Sequence, residues 1–146
     1  MSEMRIDWFE PEDGIRVRVA RRGVQSSTGR HVLLLHGFCE YLEKYEPVFE
    51  ALESRGHRVT APEFRGHGRS TRLVADRRMG YVESFDDYLR DLLRFLESLG
   101  DDAPDSILAH SMGGHMALRL LRALPDRFER AVLVSPMMGL KTPFPL

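Results

Sequence analysis

Cysteine occurs once, at Cys39, so the chain can form no internal disulfide and can build no cysteine-rich metal site. That usage also favours a reducing compartment. Neither sign of charge dominates: 21 basic residues face 22 acidic ones, for a net charge of −1. The electrostatic footprint of a nucleic-acid binder is therefore missing, as is the basic excess that draws a protein to anionic lipid. No apolar run approaches the roughly 18 residues of a membrane helix, so no integral membrane segment is expected. The opening MSEMRIDWFEPEDG lacks the basic-then-apolar layout of a signal peptide. These absences together point to the cytoplasm. There is no HExxH and no histidine pair at convincing metal spacing. The glycine-rich RGHGRS matches neither a phosphate loop nor a dinucleotide fingerprint. No metal and no cofactor is expected.

What is present reads as one soluble globular domain: 146 residues, 42% apolar and 29% charged, without repeats or low-complexity tracts. MRIDWFE and IRVRVARR flank the turn-forming PEDG, which predicts an N-terminal β-hairpin. HVLLLHG (31–37) is a continuous apolar run, the pattern of a strand buried on both faces of a parallel sheet. A helix follows, with Pro47 in its first turn, Val48, Phe49 and Leu52 on one face, and Gly56 as its stop. HRVTAPEF is the next strand. Ser84 with Asp87 resembles a capping box, and Phe85, Leu89, Leu92, Leu96 and Leu99 then recur at helical spacing up to Gly100. DSILAH is a strand, 112–124 a helix stopped by Pro125, and RAVLVSP one more strand. This alternation predicts an α/β fold: a mostly parallel sheet with helices on both faces and right-handed crossovers.

Ser111 stands where the strand DSILAH turns into a helix, at the carboxyl edge where reacting groups of such sheets collect. A nucleophile at that point sits on a sharp turn, and its neighbours two residues away must be small. They are Ala109 and Gly113, with Gly114 beyond. The helix opening at Met112 adds its positive dipole end. Serine is also a favoured helix cap, so a purely structural role competes with the catalytic one. Acyl transfer needs two donors for the oxyanion, one after the nucleophile and one from the loop after an earlier strand. The Met112 amide fits the first place. HGF at the end of HVLLLHGF fits the second, with Gly37 allowing close approach and the Phe38 amide as donor. Cys39 has no evident base partner and reads as a partly buried, inert thiol. His67 reads as a residue that orders its loop.

Taken together, LLLHGFCEYLEKY, APEFRGHGRS, ESFDDYLRDL, AHSMGG and LVSPMMGL resemble the α/β-hydrolase superfamily, and within it the monoacylglycerol lipase and lysophospholipase branch of serine hydrolases. The resemblance is collinear from about residue 14 to the last residue. It implies a Ser-His-Asp esterase with Ser111 as nucleophile and the Phe38 and Met112 amides as oxyanion hole. His36 and His110 would be packed, hydrogen-bonded supports, alongside Gly37, Ala109, Gly113 and Gly114. Ala109 replaces the usual first glycine of the motif, and Glu63 stands where aspartate is commoner. The implied substrate is a lipid-like ester with one acyl chain, so contact with a membrane surface stays open. Peptidase and carbon–carbon hydrolase branches, and a non-catalytic binding module, also stay open. Dehalogenase-type enzymes are excluded, because they use an aspartate nucleophile.

The triad order in this fold is serine, acid, histidine. After Ser111 the chain offers Asp126, Glu129 and His115, of which the acids precede a strand and His115 lies one turn into the helix. The triad acid and histidine are thus not expected in this chain. Residues 1–136 read as the N-terminal part of the hydrolase core and 137–146 as the start of a cap, in an enzyme of roughly 250–300 residues. A C-terminal piece of the same protein is the expected partner, and the chain alone is expected to be inactive.

Overall fold

The apolar runs become the strands of one sheet. The computed structural model describes residues 3–23 and 29–139. Its strands are β1 (Arg5–Glu12), β2 (Ile15–Arg22), β3 (His31–Leu35), β4 (Arg58–Pro62), β5 (Ser106–His110) and β6 (Arg130–Val134), in the spatial order β1-β2-β4-β3-β5-β6. β3 is buried along its whole length because β4 and β5 flank it in parallel and both sheet faces are covered. The expected hairpin is present. β1 and β2 pair antiparallel through the turn at Asp13–Gly14, and β2 continues antiparallel onto β4. The sheet is therefore mixed at its N-terminal edge and parallel from β4 to β6.

Strand alternation splits the interior in two. Leu34 points to one face, where it joins Val59, Ala61 and Phe49 of α1 (Glu46–Glu53). Leu33 and Leu35 point to the other, against Leu92 and Phe95 of α2 (Phe85–Leu99) and Met116 and Leu120 of α3 (Met112–Ala123). Each fully buried side chain of this kind contributes about 1.5–3 kcal/mol of transfer free energy. The predicted capping box is formed: the Ser84 hydroxyl accepts from the Asp86 amide, and the Asp87 carboxylate accepts from the Ser84 amide at 3.2 Å. α2 stops at Gly100 and α3 at Leu124, before Pro125. Asp91 on α2 turns inward to a two-pronged ion pair with Arg65. This ties α2 to the loop after β4.

β6 lies at the edge of the described sheet. Its Val132 and Val134 are 57% and 47% exposed, so this apolar edge is uncovered among the described residues. Met138 is 76% exposed. The rest of the predicted cap start, residues 140–146, lies outside the described residues.

Candidate functional site

Three non-glycine residues adopt positive φ among the described residues: Cys39 (58°), Ser111 (52°) and Ser135 (45°). They stand after β3, β5 and β6, three strands that run parallel, so all three mark one carboxyl edge. Such conformations cost about 1–3 kcal/mol each and persist only where the surroundings over-determine them. At Ser111 the surroundings are explicit. Its amide donates to the Val134 carbonyl at 3.0 Å, and its carbonyl accepts from Met137 at 2.9 Å and His115 at 3.2 Å. Ser111 occupies the N-cap position of α3, but its hydroxyl makes no capping bond to the helix.

The close approach expected beside this turn is present. A Cβ at Gly113 would fall 2.3 Å from the Leu35 carbonyl oxygen, a contact no side chain survives. Gly114 packs on Pro136. Ala109 is buried opposite Leu35 in the β3–β5 ladder, where its methyl is accommodated within the core. Met112 is the first residue of α3, and its amide therefore has no acceptor within the helix. Phe38 is exposed, with its ring edge-on to His67, and among the described residues its amide donates to no backbone carbonyl.

Gly37 carries the loop through a confined space: a Cβ there would lie 2.7 Å from the Glu40 carboxylate and 3.0 Å from Nδ1 of His110. The carboxylate itself is the hub of the loop. It accepts from the Gly37 amide at 2.7 Å and from Lys44, Tyr45 and His110. Burial favours its neutral form, yet the bonds from Lys44, Tyr45, Gly37 and His110 prevail and hold its pKa down at about 2. Sequence reasoning missed Glu40. The available signal was an acid between the HGF motif and a lysine and tyrosine four and five residues on.

His36 is fully buried. Its Nδ1 donates to the Gly37 carbonyl at 2.7 Å and its Nε2 accepts the Phe64 amide at 3.0 Å, which joins the ends of β3 and β4. Burial keeps it neutral, with a pKa of about 4. His110 bonds Glu40 as a support should, but its side chain is 39% exposed and only half packed. His67 orders its loop through Nδ1 and the Arg65 carbonyl at 3.1 Å. Cys39 departs from expectation. It is exposed, in the loop after β3, with a φ of 58°. His115 packs its ring against Phe85 of α2. Glu129 sits at the amino end of β6, paired with Arg30, on the opposite edge from Ser111. Among the described residues there is no cluster fit to hold a metal ion and no helix long and apolar enough to cross a membrane.

A parallel-centred sheet with helices on both faces and a strained serine between β5 and α3 defines the N-terminal portion of an α/β hydrolase. The chain belongs to the hydrolase family described as serine aminopeptidase, S33, whose profile matches residues 26–146. It is 36% identical over 135 residues to lysophospholipase L2 of Escherichia coli, covering 90% of this chain and 39% of that protein. It is 33% identical over 109 residues to methylesterase 9 of Arabidopsis thaliana, covering 75% and 41%. Among solved structures it superposes on an epoxide hydrolase mutant of Vigna radiata with a TM-score of 0.71 at 29% identity, covering 95% of this chain and 41% of that one. The chain thus spans about two fifths of the length of the relatives it matches.

Proposed function

We propose that Ser111 is the nucleophile of a serine ester hydrolase that works through an acyl-enzyme on single-chain lipid esters, a monoacylglycerol or a lysophospholipid. The observation that carries this reading is the positive φ of Ser111, fixed by backbone bonds on both sides while its hydroxyl is left out of the helix cap. The hydroxyl oxygen attacks the ester carbonyl as a general base takes its proton. The oxyanion so formed accepts from the Met112 and Phe38 amides, and the alcohol leaves with that proton. Water then releases the fatty acid by the same route. The likeness to lysophospholipase L2, and to phospholipase YtpA of Bacillus subtilis at 29% identity, supports the ester class.

The base and its orienting acid belong, in this reading, to a C-terminal piece of the same protein. His115 is engaged with Phe85, and Glu129 lies at the wrong edge. The edge of β6, uncovered among the described residues, and a hollow of about 370 Å³ lined by Leu34, Tyr45, Val48, Leu108 and Val134 are the surfaces such a piece would bury. Fluorophosphonate labelling of the complete polypeptide, mapped by mass spectrometry, tests the reading. Modification of Ser111 is expected; labelling elsewhere, or none, rejects it. The family's description names an aminopeptidase. The same preparation assayed on aminoacyl anilides and long-chain esters separates peptidase from esterase.

A further inference from the structure

The loop after β3 forms one wall of a cavity of about 380 Å³, and the loops after β4 form the other. Cys39 and His67 line the end nearest Phe38, and Arg69, Arg72, Arg77 and Arg78 line the rest. Two acids, Glu40 and Glu43, also reach the wall, but both are engaged. Glu40 is bonded by Lys44, Tyr45 and His110, and Glu43 pairs with Arg18 at 2.8 Å and Arg69 at 3.8 Å. Arg78 is neutralised by both oxygens of Asp76. Arg72 and Arg77 stand apart from these pairs. Arg72 is held by two carbonyls, of Arg77 and Met79, at 2.6 Å each, and Arg77 donates to the Gly68 carbonyl at 3.4 Å. Among the described residues no carboxylate forms an ion pair with either.

The cavity wall also holds unmet polar demand. His67 is 1% exposed, and its Nε2 has no partner; the buried Nε of Arg72 has none either. The Arg65 carbonyl can only accept, so Nδ1 of His67 carries the proton, and Nε2 offers a lone pair to a hydroxyl. Burial, which disfavours the charged imidazole, works in the same direction. Asp76, paired with Arg78, also feels the charge of Arg72. Two guanidiniums outside any direct ion pair, Arg77 the less engaged, beside a buried acceptor match a head group that bears an anion and a free hydroxyl.

We infer that this cavity is the head-group subsite of the ester hydrolase and takes the phosphate of an acylglycerol phosphate. Arg72 and Arg77 donate to the phosphate oxygens, and His67 accepts from the free glycerol hydroxyl. The inference rests on the hydrolase reading above and decides between its two substrates, against the neutral monoacylglycerol and for an ester whose head group is a phosphate.

The test compares 1-palmitoylglycerol 3-phosphate with 1-palmitoylglycerol, presented to the complete polypeptide in the same neutral detergent micelles. kcat/KM for the phosphate ester is expected to exceed that for the neutral ester by about tenfold or more, the scale of one or two hydrogen bonds to a charged group. Arg72→Gln and Arg77→Gln are each expected to reduce that ratio several-fold. Arg72 also holds its loop through two carbonyls, so Arg77, which has a single long contact, is the decisive variant if Arg72→Gln fails to fold. Turnover of both esters with no preference, or a ratio unmoved by Arg77→Gln, overturns the subsite and leaves the hydrolase reading intact. No turnover of either ester overturns both.

Discussion

Oε2 of Glu40 lies 3.2 Å from Nδ1 of His110, which fastens the loop after β3 to the last residue of β5, seventy positions away in the chain. The same oxygen accepts the Gly37 amide. One buried carboxylate therefore fixes the position of the loop that carries Phe38 relative to the strand that carries Ser111.

The depressed pKa of Glu40 links this contact to pH. Its folded value, about 2, lies below the ordinary 4.5, so the unfolded chain binds this proton first as the pH falls. The stabilisation is complete above about pH 5 and is lost as the pH drops through 4.5 toward 2. Glu40→Gln is expected to be less stable than the parent protein by about 2–3 kcal/mol at pH 7, with the gap closing below pH 4.5. Urea unfolding of both proteins from pH 7 to pH 3 measures it, and a gap independent of pH would disprove the linkage.

Gly113→Ala sets two effects against each other. Alanine favours a helix by about 1 kcal/mol over glycine, but its methyl would meet the Leu35 carbonyl at 2.3 Å. Overpacking against fixed backbone costs about 1–3 kcal/mol or more and displaces the turn at Ser111. A net loss of stability is expected, with a larger loss of turnover; thermal unfolding together with ester hydrolysis reads both. Unchanged melting and activity would show that the two strands part freely at this point.

Ser111→Ala leaves the backbone strain in place, because alanine and serine meet the same steric penalty at φ 52°. The substitution therefore isolates the hydroxyl. In the complete enzyme, turnover is expected to fall by about a million-fold if the nucleophile and base act as a unit. Retention of most activity assigns the chemistry to another residue.

Among the described residues the edge of β6 is uncovered, and the proposed C-terminal piece is what would bury it. Long apolar strand edges template aggregation. The chain expressed alone is expected to aggregate and to lack esterase activity, and co-expression with a C-terminal piece should restore both solubility and turnover. Sedimentation and a cooperative unfolding transition check this. A monomeric, cooperatively folded 146-residue chain would refute the proposed partner.

Much of this was legible in the residues alone. Continuous apolar runs marked β3 and β5, helical spacing from Phe85 to Leu99 marked α2, Ser84 and Asp87 announced its cap, and the small residues around Ser111 announced the turn. Each signal is local, carried by periodicity or by the conformational freedom of a few neighbours, and so survives without knowledge of the rest of the fold. Tertiary structure decided the polar partners. Which acid would hold the loop at Gly37, that Cys39 would be exposed, that His67 would keep one nitrogen unpaired, and that Arg72 and Arg77 would line one cavity without a direct ion pair all depend on segments far apart in the chain. A charged side chain reads alike in sequence whether it is solvated or buried. Only the packing of separate strand ends against one another sets its dielectric surroundings and its partners, and with them its charge and its work.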